Sequence, residues 1–261
     1  MSFRRTFFIL VLVAGCSEPG QTEIARGNVL ASQKKYADAL AAYQAAAAAQ
    51  PRRAHPQELA GHLLFDLGRS AEARIAYQEA VKREPQDALE AKIGLARLDA
   101  EDQRFDDALQ RLNGILEKNP QNLYALLSRA TVALRRGKPG DVEVALVDTA
   151  KAMAIDSNGA AVLYTRGSAF IAAKDYDQAQ SAFGLLEHAH PRSPLAFYGY
   201  ARLASAKGDR AAAIDNLRQA RSRAQDLPGG WNPREVRSDP AFSKLKNDPE
   251  FAQIVDSYVS R

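Results

Sequence analysis

The chain has 261 residues, 46% hydrophobic and 25% charged, the balance of a folded body and not of a disordered segment. A formal charge of +4, lowered by two if residues 1–15 and with them Arg4 and Arg5 are removed, argues against a nucleic-acid-binding surface. A single cysteine leaves no intramolecular disulfide and no cysteine-built zinc site, so packing alone must hold the core.

Arg4 and Arg5 form a positive leader, and Thr6 to Val13 an apolar stretch. That stretch is about half the ~20 residues needed to cross a bilayer, so it reads as an export signal. Leu12-Val13-Ala14-Gly15-Cys16 resembles the lipobox of bacterial lipoproteins. The resemblance implies a signal peptide over residues 1–15, cleavage before Cys16, and a diacylglycerol on its thiol. Residues 16–21 would then be a lipidated N-terminus and short tether. One acyl chain anchors only marginally, at about 0.8 kcal/mol per buried CH₂; the two or three chains implied by the resemblance hold firmly. Ser17, where an Asp would favour inner-membrane retention, points to the periplasmic face of the outer membrane. An ordinary secretory signal is the alternative.

The rest of the chain repeats itself. Tyr36, Ala39, Tyr43, Ala46 and Pro51 are followed by Gly68, Ala73, Tyr77, Ala80 and Pro85, then by Phe105, Ala108, Leu112, Ile115 and Pro120. The order returns at Tyr176, Ala179, Phe183, Leu186 and Pro191, and last at Gly208, Ala213, Leu217 and Ala220. Successive prolines lie 34 and 35 residues apart. Small residues upstream at Gly27, Gly61, Ala96, Ala130, Gly167 and Ala201 complete six units. Physically, small residues let two helices approach. The aromatic one turn after the second-helix alanine fills the gap to the next unit, and proline stops the second helix.

These positions resemble the tetratricopeptide repeat family, one helix-turn-helix per ~34 residues. The resemblance covers residues 22–225. It implies an all-α, right-handed superhelical solenoid of about six repeats. The family's early tryptophan is missing, and Ser157 and Gln225 replace the terminal proline. The alanine run Ala45 to Ala49 is read as the end of a helix.

In the fourth unit Ala145 comes three residues later than the spacing elsewhere, and Gly137-Lys138-Pro139-Gly140-Asp141 reads as a lengthened turn holding the excess. The period stops at Asp226-Leu227-Pro228-Gly229-Gly230. Asn232-Pro233, Asp239-Pro240 and Asp248-Pro249 each pair a capping residue with proline, as at a helix start. Residues 226–261, with Trp231, Phe242 and Phe251, are expected to form a C-terminal helical cap.

No catalytic constellation is visible. His188 and His190 are two apart, so on a helix they point to different faces. No enzyme activity, metal or cofactor is expected. The family resemblance implies binding through a concave face lined by the first helix of each repeat. Its groove positions lie three before and one after the small residue. They select Ile24, Glu58, Ile93, Leu127, Tyr164 and Tyr198 in the first series, and Asn28, His62, Arg97, Thr131, Ser168 and Arg202 in the second. His62, Arg97, Tyr164, Tyr198 and Arg202 are the candidate contacts for a peptide or helix of a partner protein. The two-Lys, two-Asn carboxylate clamp of some chaperone-binding members is not evident. By anchor and repeat count the chain resembles periplasmic lipoproteins of envelope assembly: type IV pilus pilotins, or factors serving secretins, peptidoglycan hydrolases or outer-membrane protein insertion. A homo-oligomeric structural envelope protein is the alternative, and an enzyme with an unrecognised site a more distant one.

Overall fold

The computed structural model describes residues 20–224 and 233–256. The expected signal, Cys16, most of the tether, the Asp226–Gly230 breaker, Trp231 and Asn232 lie outside the described residues. Six helix pairs follow one another: α1 (Gln21–Ser32) with α2 (Tyr36–Ala49), α3 (His55–Asp66) with α4 (Ser70–Arg83), and α5 (Leu89–Glu101) with α6 (Phe105–Lys118). Then come α7 (Leu123–Arg136) with α8 (Asp141–Ile155), α9 (Ala160–Ala172) with α10 (Tyr176–Ala189), and α11 (Leu195–Lys207) with α12 (Arg210–Ala224). After α12 follow α13 (Pro233–Ser238), a 3₁₀ turn (Pro240–Leu245) and α14 (Pro249–Asp256). No strand occurs among the described residues. The chain is an all-helical solenoid of about six repeats, and α2 runs through the alanine run to Ala49.

The tight turn inside a pair needs one left-handed residue. Glycine supplies it without strain at Gly68 and Gly208, whereas Lys34, Gln103 and Lys174 adopt φ near 60° in the same place. The fourth pair departs from the expectation for its turn. The three extra residues are not stacked there. Relative to the first repeat, α7 runs one residue further past its small position, the turn has one more residue, and α8 starts one residue earlier before its alanine. Helix continuation keeps each added peptide group hydrogen-bonded, which a long loop would not. Asp141, first in α8 and buried, accepts the Lys138 N–H at 2.7 Å and pairs with Arg136, whose Nε lies 3.0 Å away.

The second helix of a repeat holds the stack together through a ring set between two glycines. Tyr77 of α4 is fully buried. A Cβ on Gly61 of α3 would lie 2.5 Å from its Cε1, and one on Gly94 of α5 2.5 Å from its Cε2. Phe183 of α10 is held the same way by Gly167 of α9 and Gly199 of α11. The ring therefore touches both its own repeat and the next. Where the second helix carries a smaller residue, Leu112 or Thr149, the small position of the first helix is alanine, Ala96 or Ala130.

Buried carboxylates brace the other side of the stack. Asp99 of α5 is fully buried and accepts hydrogen bonds from Arg74 Nη1 at 2.8 Å, Arg111 Nε at 2.7 Å and Arg104. Burial alone would raise its pKa, but the Arg111 and Arg74 hydrogen bonds and the neighbouring guanidinium charges hold it below the usual carboxylate range. Asp148 of α8, also buried, receives a two-pronged pair from Arg129 at 2.7 and 2.8 Å.

Gly94→Ala should destabilise the chain in urea, because the ring clash, about 1–3 kcal/mol, outweighs a helix-propensity gain of about 1 kcal/mol. Gly114→Ala, in α6 where a Cβ meets nothing within 4 Å, should stabilise it. Because the folded-state pKa of Asp99 is depressed, its contribution is complete above about pH 4 and is lost as pH falls through the folded value. Asp99→Ala should cost about 1–3 kcal/mol at pH 7, the guanidiniums left behind being partly exposed, and flatten the acid limb of the stability curve.

Candidate functional site

Successive first helices, α3, α5, α7, α9 and α11, pack against one another along the stack, whereas successive second helices meet less closely. The stack therefore curves with the odd-numbered helices inside. Side chains that point away from the paired helix line this inner wall.

In the second and third repeats the wall is open and polar. His62 of α3 is half-buried, with Nδ1 2.9 Å from the Tyr77 hydroxyl and its ring edge-on to that tyrosine at 5.4 Å. The Tyr77 ring that locks the repeats thus also orients a groove residue. Arg97 of α5 is exposed, and its guanidinium stacks on Phe65 of α3 at 4.2 Å. Such stacking fixes a charged side chain while leaving its edge N–H groups to a ligand. Glu58 is not available in this way. It is buried and accepts the Ala91 N–H at 3.1 Å in the first turn of α5, a tie between repeats. Burial raises the pKa of Glu58, of Glu90 near it, and of Asp66 at the far end of α3.

In the fourth repeat the wall continues with exposed Thr131 and with Tyr124, 62% exposed. Tyr124 was missed by counting only three before and one after the small residue. It lies six before Ala130, as His55 lies before Gly61 and Glu90 before Ala96, one helical step further along the same face.

In the last two repeats Tyr164, Tyr198 and Arg202 do come together. Arg202 Nη1 donates to the Tyr164 hydroxyl and to Ser168 Oγ, both at 3.1 Å, and the two tyrosine rings lie 6.2 Å apart. This cluster does not face solvent alone. Tyr198 donates to Asp239 Oδ2 at 2.7 Å, Arg202 Nε lies 3.4 Å from the same oxygen, and Phe242 sits against the Tyr198 ring at 5.7 Å. Residues selected as contacts for an incoming chain are partnered by this chain's own C-terminal segment. Burial, then the Asp239 charge, pushes the Tyr198 phenol well above its usual range.

Among the described residues no group of three or more His, Asp, Glu or Cys side chains is placed to hold a metal ion. His190 terminates α10, with Nε2 2.6 Å from the Asn158 carbonyl. No described helix is long and apolar enough to cross a membrane.

A tetratricopeptide repeat profile matches residues 24–88, 93–161 and 164–228. No curated protein sequence matches the chain. Among solved structures, a tetratricopeptide repeat protein of Thermus thermophilus is 22% identical, with a TM-score of 0.60 over 67% of this chain and 94% of that one. PilF of Pseudomonas aeruginosa is 15% identical, with a TM-score of 0.58 over 80% of this chain and 94% of that one. PilW, described as a widely conserved type IV pilus biogenesis factor, is 13% identical, with a TM-score of 0.63 over 80% of this chain and 96% of that one. At these identities the likeness is one of fold.

The groove chemistry has a measurable signature at His62. Burial, and then the positive charges of Arg97 and His55, hold its pKa below 6.5. Its NMR titration midpoint should lie below that value and move upward in Arg97→Ala. Being depressed in the folded state, it should also make stability decline as pH falls from about 6.5, a slope that His62→Gln removes.

Proposed function

The chain belongs to the tetratricopeptide repeat family, and from this premise we propose that it is an adaptor of envelope assembly. Peptide or helical segments of partner proteins lie against its odd-numbered helices, while a lipid on Cys16 keeps it at the periplasmic face of the outer membrane. The family fold makes it a scaffold for protein–protein interaction. The observation that carries the reading is the stretch of inner wall from His62 through Arg97 to Tyr124 and Thr131. It presents an imidazole, a stacked guanidinium and an exposed ring from the first helices of three consecutive repeats. Aromatic and arginine side chains of this kind carry most of the energy in protein interfaces.

Two further observations support the compartment and the pathway. Leu12 to Cys16 has the order of a lipobox after a short charged and apolar leader. The fold likeness to PilW, a type IV pilus biogenesis factor, extends over 80% of this chain, which favours pilus assembly over other envelope machinery.

Photo-crosslinking side chains placed in living cells at Tyr124 and Thr131 should capture other polypeptides at least several-fold more than one placed at Ile75, exposed on α4 of the outer wall. Equal capture from both walls would remove the groove. Cys16→Ser should abolish incorporation of labelled palmitate and shift the protein out of the membrane fraction. Persistence of either property would remove the anchor.

A further inference from the structure

The C-terminal end of the inner wall is filled by a segment of defined chemistry. Asp239-Pro240-Ala241-Phe242 lies across Tyr198, Arg202 and Ser205 of α11. The carboxylate takes the Tyr198 hydroxyl and faces Arg202, the Ala241 carbonyl accepts Ser205 Oγ at 2.6 Å, and Phe242 is fully buried. Tyr198 lies three before the small residue Ala201, and Arg202 one after it. In the second to fourth repeats the three-before position carries buried Glu58, Ile93 and Leu127, and the one-after position stands open at Arg97 and Thr131; in the sixth the segment covers both. The rings of Tyr164, Tyr198 and Phe242 continue one another at 6.2 and 5.7 Å.

The same unit occurs twice. Asp248-Pro249-Glu250-Phe251 repeats the spacing nine residues later. In each copy the aspartate caps its own turn, Asp239 through the Ala241 N–H at 2.9 Å and Asp248 through the Glu250 N–H at 2.9 Å. In each copy an arginine faces the aspartate: Arg202 for the first and Arg210, with Nη2 3.0 Å from Oδ1, for the second. In each copy the phenylalanine three residues on is buried, and the two rings meet at 5.8 Å. Asp-Pro-x-Phe is thus a self-contained element: proline fixes the turn, the acid meets an arginine, and the ring enters a hole. Only the first copy sits on the inner wall.

We propose that Asp239–Phe242 is a built-in ligand of the groove, and that α11 with Tyr164 and Ser168 of α9 forms a binding site for partner segments carrying an acidic residue and, three residues later, an aromatic one. Such a segment replaces the tail from the wall without unfolding the solenoid. Specificity comes from the acid at Arg202 and the ring beside Tyr198, while the Ser205 contact reads only backbone. The proposal rests on the inner-wall reading of function, but its test does not use Tyr124 or Thr131, so the two can fail separately.

The probe is a fluorescein-labelled synthetic peptide of residues 238–247, titrated against the full chain. The double variant Asp239→Ala, Phe242→Ala should bind it at least tenfold more tightly than the unaltered chain. Adding Arg202→Ala to that variant should reverse the gain. A peptide with both the Asp and the Phe replaced by alanine should not compete. Equal binding by the two chains, or indifference to Arg202, overturns the proposal. A second measurement needs no variant. In the unaltered chain, millimolar peptide should speed amide exchange at Phe242, whose N–H is bonded to the Asp239 carbonyl at 3.1 Å, at least threefold, with Leu217 of α12 unaffected. Unchanged exchange means a fixed cap and overturns it. A dimer of the unaltered chain that the double variant abolishes would hand the site to a second copy, and would overturn the assignment to other proteins.

Discussion

The structure depends on a ring wedged between two backbones. Placing glycine inside a helix costs about 1 kcal/mol relative to alanine, so Gly61 and Gly94 together give up about 2 kcal/mol of helix propensity. Burying a large side chain such as Tyr77 returns about 1.5–3 kcal/mol. The two nearly cancel, so the wedge is not explained by stability alone. What the glycines secure is contact of one ring with two repeats at once, which ties α3, α4 and α5 into a fixed relation. A solenoid has no restraint between distant repeats: each repeat touches only its neighbours, and its geometry is the sum of such local contacts.

From that constraint comes the division of labour between the helices. In the second and fifth pairs the second helix spends its aromatic, Tyr77 or Phe183, inward, between two first helices. The first helices are drawn close to one another and their free faces converge. Tyr77 shows how packing reaches the surface: the ring is buried among glycines while its hydroxyl meets His62 on the inner wall. A binding surface built in this way is stiff, because moving His62 requires moving the wedge. Stiffness of this kind spares a scaffold part of the entropy that ordering costs on association.

Most of this fold could be read from the chain because its determinants recur at fixed steps. The 34- and 35-residue spacing, the small residues and the aromatic four after the alanine of the second helix each answer to one packing contact. The reading was incomplete where a contact joined two different periods. Gly94 and Gly199, the far jaws of the wedges, lie two residues before Ala96 and Ala201 and hold a ring of the preceding repeat, so counting within one repeat passes over them. In the fourth repeat the Gly-Pro-Gly cluster drew attention to the turn, yet helices absorb extra residues at less cost than loops, and the excess was shared. The candidate site was half legible. Register placed His62, Arg97, Tyr164, Tyr198 and Arg202 on one wall. It could not show that Asp239 and Phe242, some 40 residues beyond Tyr198 and outside the period, lie across the last two.

The fourth repeat is held together differently from the ends of the array. Around it the apolar interior thins to Ala130, Ala145 and Ala169 on one side and Leu127, Ala152 and Val162 on the other, and Thr149 takes the place of an aromatic wedge. Ion pairs Arg129–Asp148 and Arg136–Asp141 brace this stretch, whereas the ends are filled with rings and branched side chains. The middle of the stack is therefore specified by the directional geometry of charge pairs, and its ends by the shapes of rings.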